Sequence, residues 1–186
     1  VASEDGGCGT KESQDSTAVS PSKNEWSEKG DPNPNSDQPG VDTDNYIPSH
    51  PMIELGPELT ELDLNHARLD KIDPGMSLCS NVESVCFRQN FIKKIEHLEG
   101  LDKLEELDLR DNSIERIEGL GGCPNLTTLD LSYNTIRKVM NIEHLHKLEK
   151  LFLSANKITK IDNVDGFDQL TMLELGGNRI REITNL

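Results

Sequence analysis

The chain has 186 residues, and its 34 acidic side chains outnumber 19 basic ones, which gives a formal net charge of −15. This balance argues against a nucleic-acid partner, because binding to the phosphate backbone requires clustered lysine and arginine. No apolar run approaches the roughly 18 residues that span a bilayer, so we expect no membrane partner either.

Residues 1–50 are predicted to form a disordered, acidic N-terminal tail. They carry ten carboxylates against three lysines, are rich in serine, glycine and proline, and include only nine apolar residues. A segment of this composition cannot bury enough apolar surface to offset the conformational entropy that is lost on ordering. The folded part of the chain is therefore expected to begin near residue 51.

Residues 51–78 are predicted to form an N-terminal cap and a degenerate first repeat. The stretch ELTELDLNHARLDKID (58–73) supplies apolar residues at positions that recur later in the chain, namely Leu62, Leu64, Leu69 and Ile72. Ala67 stands where the later repeats have asparagine, and the offset to the next strand is 23 residues. Atypical terminal repeats are expected, because an array needs a cap.

Residues 79–186 contain five repeats of 22 residues. Seven apolar columns run through all five without a polar exception, and one asparagine recurs in each, at Asn90, Asn112, Asn134, Asn156 and Asn178. The consensus LxxLxxLxLxxNxIxxIxxL is the leucine-rich-repeat signature. Cys79 and Cys123 stand in a leucine column, so we expect them to be small core residues.

The consensus predicts an α/β fold, a leucine-rich-repeat solenoid. The two leucines of each LxL point inward and the residue between them points outward, because side chains alternate along a strand. We expect the strands to form a concave parallel sheet and the isoleucines to lie on convex segments that are short helical or 3-10 turns. The asparagine is expected to satisfy backbone groups that become buried where the chain leaves the strand.

The array is expected to be incomplete at its C-terminal end. The last repeat reaches its final core position at Leu186, and no cap follows it. An uncapped repeat leaves an apolar edge, so we expect the natural protein to continue. The first residue, Val1 rather than methionine, also indicates a fragment.

The outward column of the predicted sheet indicates a binding surface. It reads Asp63, Cys86, Asp108, Asp130, Phe152 and Glu174. Stacked carboxylates cost about 0.2–1 kcal/mol on a sheet, so the fold is not expected to require them. An outward aromatic ring resembles the anchors of binding hot spots. The candidate partner-binding residues are Asp108, Asp130, Phe152, Glu174, Tyr133 and Met172; the alternative is a solvated surface with an incidental ring.

No catalytic, cofactor or metal site is predicted. His144 and His146 flank core Leu145 without an evident third ligand, and the four cysteines form no CxxC pair. No nucleophile–base pair, phosphate-binding glycine loop or HExxH motif occurs in the sequence. We therefore expect a protein that is not an enzyme.

The repeats resemble a particular family. The stretches ELDLRDNSIERIEGL, CFRQNFIKKIEHLEGL, KLFLSANKITKIDNV and MLELGGNRIREITNL are similar to the protein phosphatase 1 regulatory subunit 7 family, which typifies the SDS-type leucine-rich repeats. The resemblance runs from about Glu61 to Leu186. It implies a non-enzymatic protein of the nucleus and cytoplasm that binds the phosphatase catalytic subunit through the concave face and governs its maturation and activity.

The resemblance also implies specific contacts. Acidic and aromatic residues of the middle concave column make them in the family, and Asp130, Phe152 and Glu174 stand at matching positions. A ternary assembly with a second phosphatase inhibitor is implied as well, and we expect the chain itself to be a monomer. The alternative is a scaffold of the same repeat type in another intracellular complex, spliceosomal or axonemal, which would share the core columns and differ in the outward column.

Overall fold

The LxL motifs form the short strands that their alternation predicts. The structure is a computed structural model that describes residues 55–161 and 166–183. The predicted tail (1–50) and Leu186 lie outside these residues. The strands are β1 (Glu61–Asp63), β2 (Ser84–Cys86), β3 (Glu106–Asp108), β4 (Thr128–Asp130), β5 (Lys150–Phe152), β6 (Lys160–Ile161), β7 (Met172–Glu174) and β8 (Glu182–Ile183).

Six of the strands form one parallel sheet in the order β1-β2-β3-β4-β5-β7. They pair in register, so that the central residue of each strand lies beside that of the next, in a row of Leu62, Val85, Leu107, Leu129, Leu151 and Leu173. Each step along this row is one repeat, and adjacent strands lie about 4.8 Å apart. The predicted leucine-rich-repeat solenoid with a concave parallel sheet is confirmed.

The convex side contains less helix than predicted. A 3-10 helix (Pro74–Leu78) lies in the first repeat and begins after Asp73, whose carboxylate accepts the N–H of Gly75 at 2.7 Å. The described parts of the later repeats return through turns, and β6 pairs with β8 in a second parallel sheet. Their backbone N–H groups donate to the preceding repeat, as Thr135 does to the carbonyl of Ile114 at 2.9 Å. These bonds between repeats take the place of bonds within a helix.

The inward columns form one continuous apolar core along the described array. Cys79 and Cys123 are both fully buried in it, which confirms them as core residues. Burial raises the pKa of the Cys123 thiol to about 12, and the nearby carboxylates of Glu99 and Asp102 act in the same direction. A thiol that stays protonated is a poor nucleophile and metal ligand, so these cysteines act as packing residues.

The asparagine column joins neighbouring repeats. Asn134 Oδ1 accepts the N–H of Ile114 at 2.9 Å, and its Nδ2 donates to the Leu109 carbonyl of the preceding repeat at 3.0 Å. The same Nδ2 lies 3.1 and 3.2 Å from the carbonyls of Leu131 and Ser132 in its own repeat. Bonds to both the preceding and the own repeat recur at Asn90, Asn112, Asn156 and Asn178.

This geometry explains why the first repeat has Ala67 in the asparagine column. The side chain at this position serves the repeat before it, and no repeat precedes the first one in the part of the chain that the structure describes. The first repeat is served by Asn90 of the second, which donates to the carbonyl of Leu64 and accepts the N–H of Leu69.

The residue directly before the asparagine column has a left-handed backbone in every described repeat. The φ angle is positive at five non-glycine residues in this exit position, which are His66, Gln89, Asp111, Tyr133 and Ala155. In the last described repeat the position is glycine, Gly177, with φ of 70°. This conformation ends the strand and lets the asparagine side chain point back into the array.

We predict that Leu151→Ala lowers the free energy of unfolding by about 2–5 kcal/mol, because Leu151 is fully buried and its truncation leaves a cavity. Equilibrium denaturation in urea measures the change. Lys150→Ala, at the exposed neighbouring position of the same strand, is the control and should change stability by less than about 0.5 kcal/mol. Equal effects of the two substitutions would contradict the assigned alternation.

We predict that Asn134→Ala lowers the free energy of unfolding by at least about 1–3 kcal/mol, because it leaves the buried N–H of Ile114 and two buried carbonyls without a partner. Asn134→Asp should also be destabilising, because a carboxylate accepts the N–H but cannot donate to the carbonyls. The same urea titration applies. Unchanged stability of both variants would show that the asparagine column does not join the repeats.

Candidate functional site

The last residue of each strand in the main sheet faces the concave side, and together these residues form one row. We call Asp63, Cys86, Asp108, Asp130, Phe152 and Glu174 the concave row. The register brings four of the six predicted binding residues together in its second half. Met172 lies in the same strand as Glu174, and Tyr133 lies just after β4, and both are exposed.

Two side chains of the concave row are less exposed than the sequence indicates. Phe152 is half-buried rather than fully exposed, because its in-register neighbours Asp130 and Glu174 flank the ring about one strand spacing away on each side. It is not part of the apolar core. Cys86, between Asp63 and Asp108, is only 5% exposed.

Three aspartates of the concave row have a structural role that corrects the expectation that the fold does not require them. Each accepts the backbone N–H of the residue two positions later. Arg110 N donates to Asp108 Oδ1 at 2.8 Å and Ser132 N donates to Asp130 Oδ1 at 2.8 Å. Asp63 accepts the N–H of Asn65 in the same way, at 2.9 Å.

The asparagine column is the reason for these bonds. In a regular parallel ladder the N–H of Arg110 would donate to the carbonyl of Phe87 in the preceding repeat. That carbonyl instead accepts Nδ2 of Asn112 at 2.9 Å. The Asp108 carboxylate supplies the missing acceptor. Carboxylates at these positions are therefore favoured by the fold itself and do not by themselves indicate a partner.

Phe152 and Glu174 are different. The ring of Phe152 cannot accept the N–H of Ser154 as an aspartate would. Glu174 accepts only a long contact from the Ser154 hydroxyl, with 3.4 Å between Oγ and Oε2. Neither side chain performs the turn-capping role of the three aspartates. The part of the concave row that the fold does not explain is thus the pair Phe152–Glu174, with Met172 beside it.

Asp130 combines a structural and an electrostatic role. Burial raises the pKa of its carboxyl above the usual value, although the N–H and hydroxyl of Ser132 and the guanidinium groups of Arg110 and Arg88 act in the opposite direction. The ionised carboxylate is therefore incompletely solvated where it lies beside Phe152. A cationic group placed against it would gain more than it would beside a fully hydrated carboxylate.

An arginine–tyrosine pair was missed by sequence reasoning. The guanidinium carbon of Arg110 lies 4.9 Å from the centroid of the Tyr133 ring, within the range of a cation–π contact. The two residues belong to adjacent repeats and to different columns, so no single column of the alignment shows them together. The contact holds the ring of Tyr133 at the edge of the concave face, where it is 52% exposed.

The described part of the chain contains no group of three or more histidine, cysteine or acidic side chains that could hold a metal ion. Within the same residues, no helix has the length and apolarity required to cross a bilayer. The arrangement that remains is a rigid concave surface with an acidic, an aromatic and a methionine side chain in adjacent positions. Such a surface can bind another macromolecule.

Comparisons with known proteins agree with this architecture. The family model "Leucine rich repeat" matches residues 57–114 and 124–180, more than half of the chain, and "Leucine Rich repeats (2 copies)" matches residues 102–145. The crystal structure of an internalin C2 from Listeria monocytogenes aligns with a TM-score of 0.63 and 26% identity over 67% of this chain and 55% of that chain. An internalin from the same organism, inlF, aligns with a TM-score of 0.58 at 21% identity over 67% of this chain and 44% of that one, and shows the fold alone.

Curated relatives share parts of the repeat region. Protein phosphatase 1 regulatory subunit 7 of Xenopus tropicalis is 49% identical over 57 residues, which cover 31% of this chain and 16% of the relative. The Arabidopsis thaliana protein phosphatase 1 regulatory inhibitor subunit homolog is 37% identical over 70 residues, 35% of this chain and 21% of the relative. The Homo sapiens regulatory subunit 7 is 45% identical over 49 residues, 26% of this chain and 13% of the relative.

The alignments thus span about a fifth or less of the length of these relatives. Their names confirm the resemblance that the repeats indicate. The signature, the parallel in-register sheet and the match over more than half of the sequence lead to one conclusion. The chain belongs to the leucine-rich-repeat family.

Proposed function

We propose that this chain is a non-enzymatic regulatory subunit that binds the catalytic subunit of protein phosphatase 1 through its concave face and modulates the activity or maturation of that enzyme. The observation that carries the proposal is the pair Phe152–Glu174, which is in register on the concave sheet and is not explained by the fold. The names of the partially aligned relatives supply the identity of the partner.

The chemistry of the site supports a protein partner. Phe152 offers a half-buried ring that loses little side-chain entropy on binding, and the exposed Met172 in the next strand adds adaptable apolar surface. Asp130 and Glu174 flank the ring on opposite sides. The site therefore fits a partner surface on which an apolar pocket is bordered by lysine or arginine side chains.

Further parts of the proposal follow from the resemblance. The protein acts in the nucleus and the cytoplasm, as a monomer, and a second phosphatase inhibitor joins the complex. Asp108 and Tyr133 lie at the margin of the contact. The binding of a concave solenoid surface to an enzyme requires no catalytic group from the solenoid, which is why the proposed subunit is not an enzyme.

The competing function is that of a scaffold in another intracellular complex, spliceosomal or axonemal. Affinity capture from cell extract with the full chain, followed by identification of the bound proteins, separates the two. Retention of the phosphatase catalytic subunit supports the proposal. Retention of splicing or axonemal components without the phosphatase would overturn it.

We predict that Phe152→Ala and Glu174→Lys each weaken binding of the purified phosphatase catalytic subunit by at least about tenfold, as expected for a hot-spot residue. Isothermal titration calorimetry measures the affinity, and the melting temperature should change little because neither side chain lies in the core. Phe91→Ala and Glu143→Lys are matched controls at exposed positions outside the concave face. Parental affinity in both concave variants would show that the groove is not the binding surface.

We predict that Asp130→Asn weakens phosphatase binding while the melting temperature at pH 7 stays unchanged or rises. The amide oxygen can still accept the N–H of Ser132, and the substitution removes a carboxylate whose ionised form is disfavoured by burial. A carboxyl with a raised pKa in the folded state favours folding most when protonated, and this contribution is lost as pH rises through the folded-state pKa.

The stability difference between Asp130→Asn and the parent should therefore shrink as pH is lowered below about 4, where the parental carboxyl is also neutral. Thermal unfolding monitored by circular dichroism from pH 3 to about pH 7 measures it. A melting temperature that falls at pH 7 would contradict the assigned cost of ionisation. Undiminished affinity would remove Asp130 from the binding surface.

A further inference from the structure

One edge of the solenoid is basic, in contrast to the acidic chain as a whole. Where the chain leaves the concave sheet, three outward positions per repeat adjoin the first isoleucine column, and across the five regular repeats these 15 positions hold nine cations and two carboxylates. We call these cations the basic flank: Lys93, Lys94, Arg116, Arg137, Lys138, Lys157, Lys160, Arg179 and Arg181. The net charge of the 15 positions is +7, in a chain whose net charge is −15.

The structure fixes how closely these cations stack. Backbone bonds between repeats run directly through the segment, such as Lys157 N to Ile136 O at 2.8 Å and Arg179 N to Ile158 O at 2.9 Å. Cations of successive repeats are therefore held about one strand spacing, roughly 5 Å, apart. The isoleucines on either side are buried, so the cations between them face outward, and all are exposed except the half-buried Lys157.

The protein itself does little to neutralise this edge. Among the described residues, and leaving Lys160 aside, no carboxylate lies within 4.0 Å of a cation of the basic flank. The opposite edge, where the chain approaches the strands, has the other sign. Its described residues between 96 and 171 include eight carboxylates and two lysines, which are Glu96, Glu99, Asp102, Glu105, Glu118, Glu143, Glu149, Asp168, Lys103 and Lys147. Like charges stacked at this distance repel, so the fold gains nothing from them.

We propose that the basic flank is the docking surface for the acidic N-terminal segment of the same chain, residues 1–50. That segment carries ten carboxylates and three lysines, a net charge of −7, which complements the +7 of the flank. It is joined to the first repeat, so its effective concentration at the flank is high without any association step. Five repeats extend over roughly 20–25 Å, a distance that a small part of a 50-residue segment spans.

Occupants from outside the chain are less favoured. A second copy, a nucleic acid or an anionic membrane surface would each approach a molecule with a net charge of −15 and would be repelled at long range. The attached segment does not meet this barrier. With the segment bound, the basic flank is neutralised and the concave row stays accessible, because the two lie on different sides of the strands. The proposal is independent of the proposed phosphatase binding.

The cysteines allow a direct test on the full chain. Cys8 lies in the N-terminal segment, whereas Cys79, Cys86 and Cys123 are buried in the array. A nitroxide attached to Cys8 of the isotope-labelled protein should selectively weaken the amide signals of Arg116, Arg137 and Lys138. The amide signals of Asp102, Asn125 and Lys147 on the opposite edge should keep their intensity.

Matched charge variants complete the test. The double substitution Arg137→Glu and Lys138→Glu should abolish the selective loss of signal, whereas Lys103→Glu and Lys147→Glu, with the same change of net charge on the opposite edge, should leave it in place. All four residues are exposed, and circular dichroism verifies that the fold is retained. Salt at about 0.5 M, where screening extends only about 4 Å, should also remove the effect.

Three outcomes would overturn the proposal. One is the absence of signal loss, or equal loss on both edges. The second is a loss that the Arg137→Glu and Lys138→Glu variant does not reduce. The third is a loss of the same size when the nitroxide is carried by unlabelled chains mixed with isotope-labelled chains, since the segment would then act between copies.

Discussion

The hydrogen bonds of the asparagine column are the constraint on which the rest of the structure depends. Each of these side chains accepts one N–H and donates to one carbonyl of the preceding repeat while it also bonds to its own strand end, as Asn134 does. The geometry can be satisfied only when successive repeats have the same length and the same register. The 22-residue period of the sequence is the covalent counterpart of this requirement.

The same constraint determines which concave residues are available for other roles. Because the amide of the asparagine occupies a carbonyl of the neighbouring strand, one backbone N–H per repeat lacks its ladder partner, and an aspartate side chain supplies it in three repeats. Where the row changes to Phe152 and Glu174, this solution is given up. The change marks the section of the sheet in which surface chemistry takes precedence over turn chemistry.

The sequence was sufficient to predict the parallel sheet, its register, the buried columns and the side of the sheet on which Phe152 lies, because these depend on periods of 2 and 22 residues that are visible in one chain. It was not sufficient for features that depend on two repeats at once. The stacking of Arg110 on Tyr133, the low exposure of Cys86 and the turn-capping aspartates all require knowledge of the carbonyl or side chain in the adjacent strand. The turns of the convex side were predicted as short helices for the same reason, since the bonds between repeats that replace them do not appear in the consensus of a single repeat.

The left-handed exit position places a bias on which residues can follow each strand. Asparagine, aspartate, histidine and above all glycine adopt this conformation readily, and Gly177 shows the least costly choice. A bulky aromatic side chain there costs of the order of 1 kcal/mol in backbone energy unless a contact offsets it. Tyr133 is retained at this position with Arg110 stacked on its ring. Over evolutionary time the two side chains should therefore change together, so that a repeat which loses one of them drifts toward glycine at its exit.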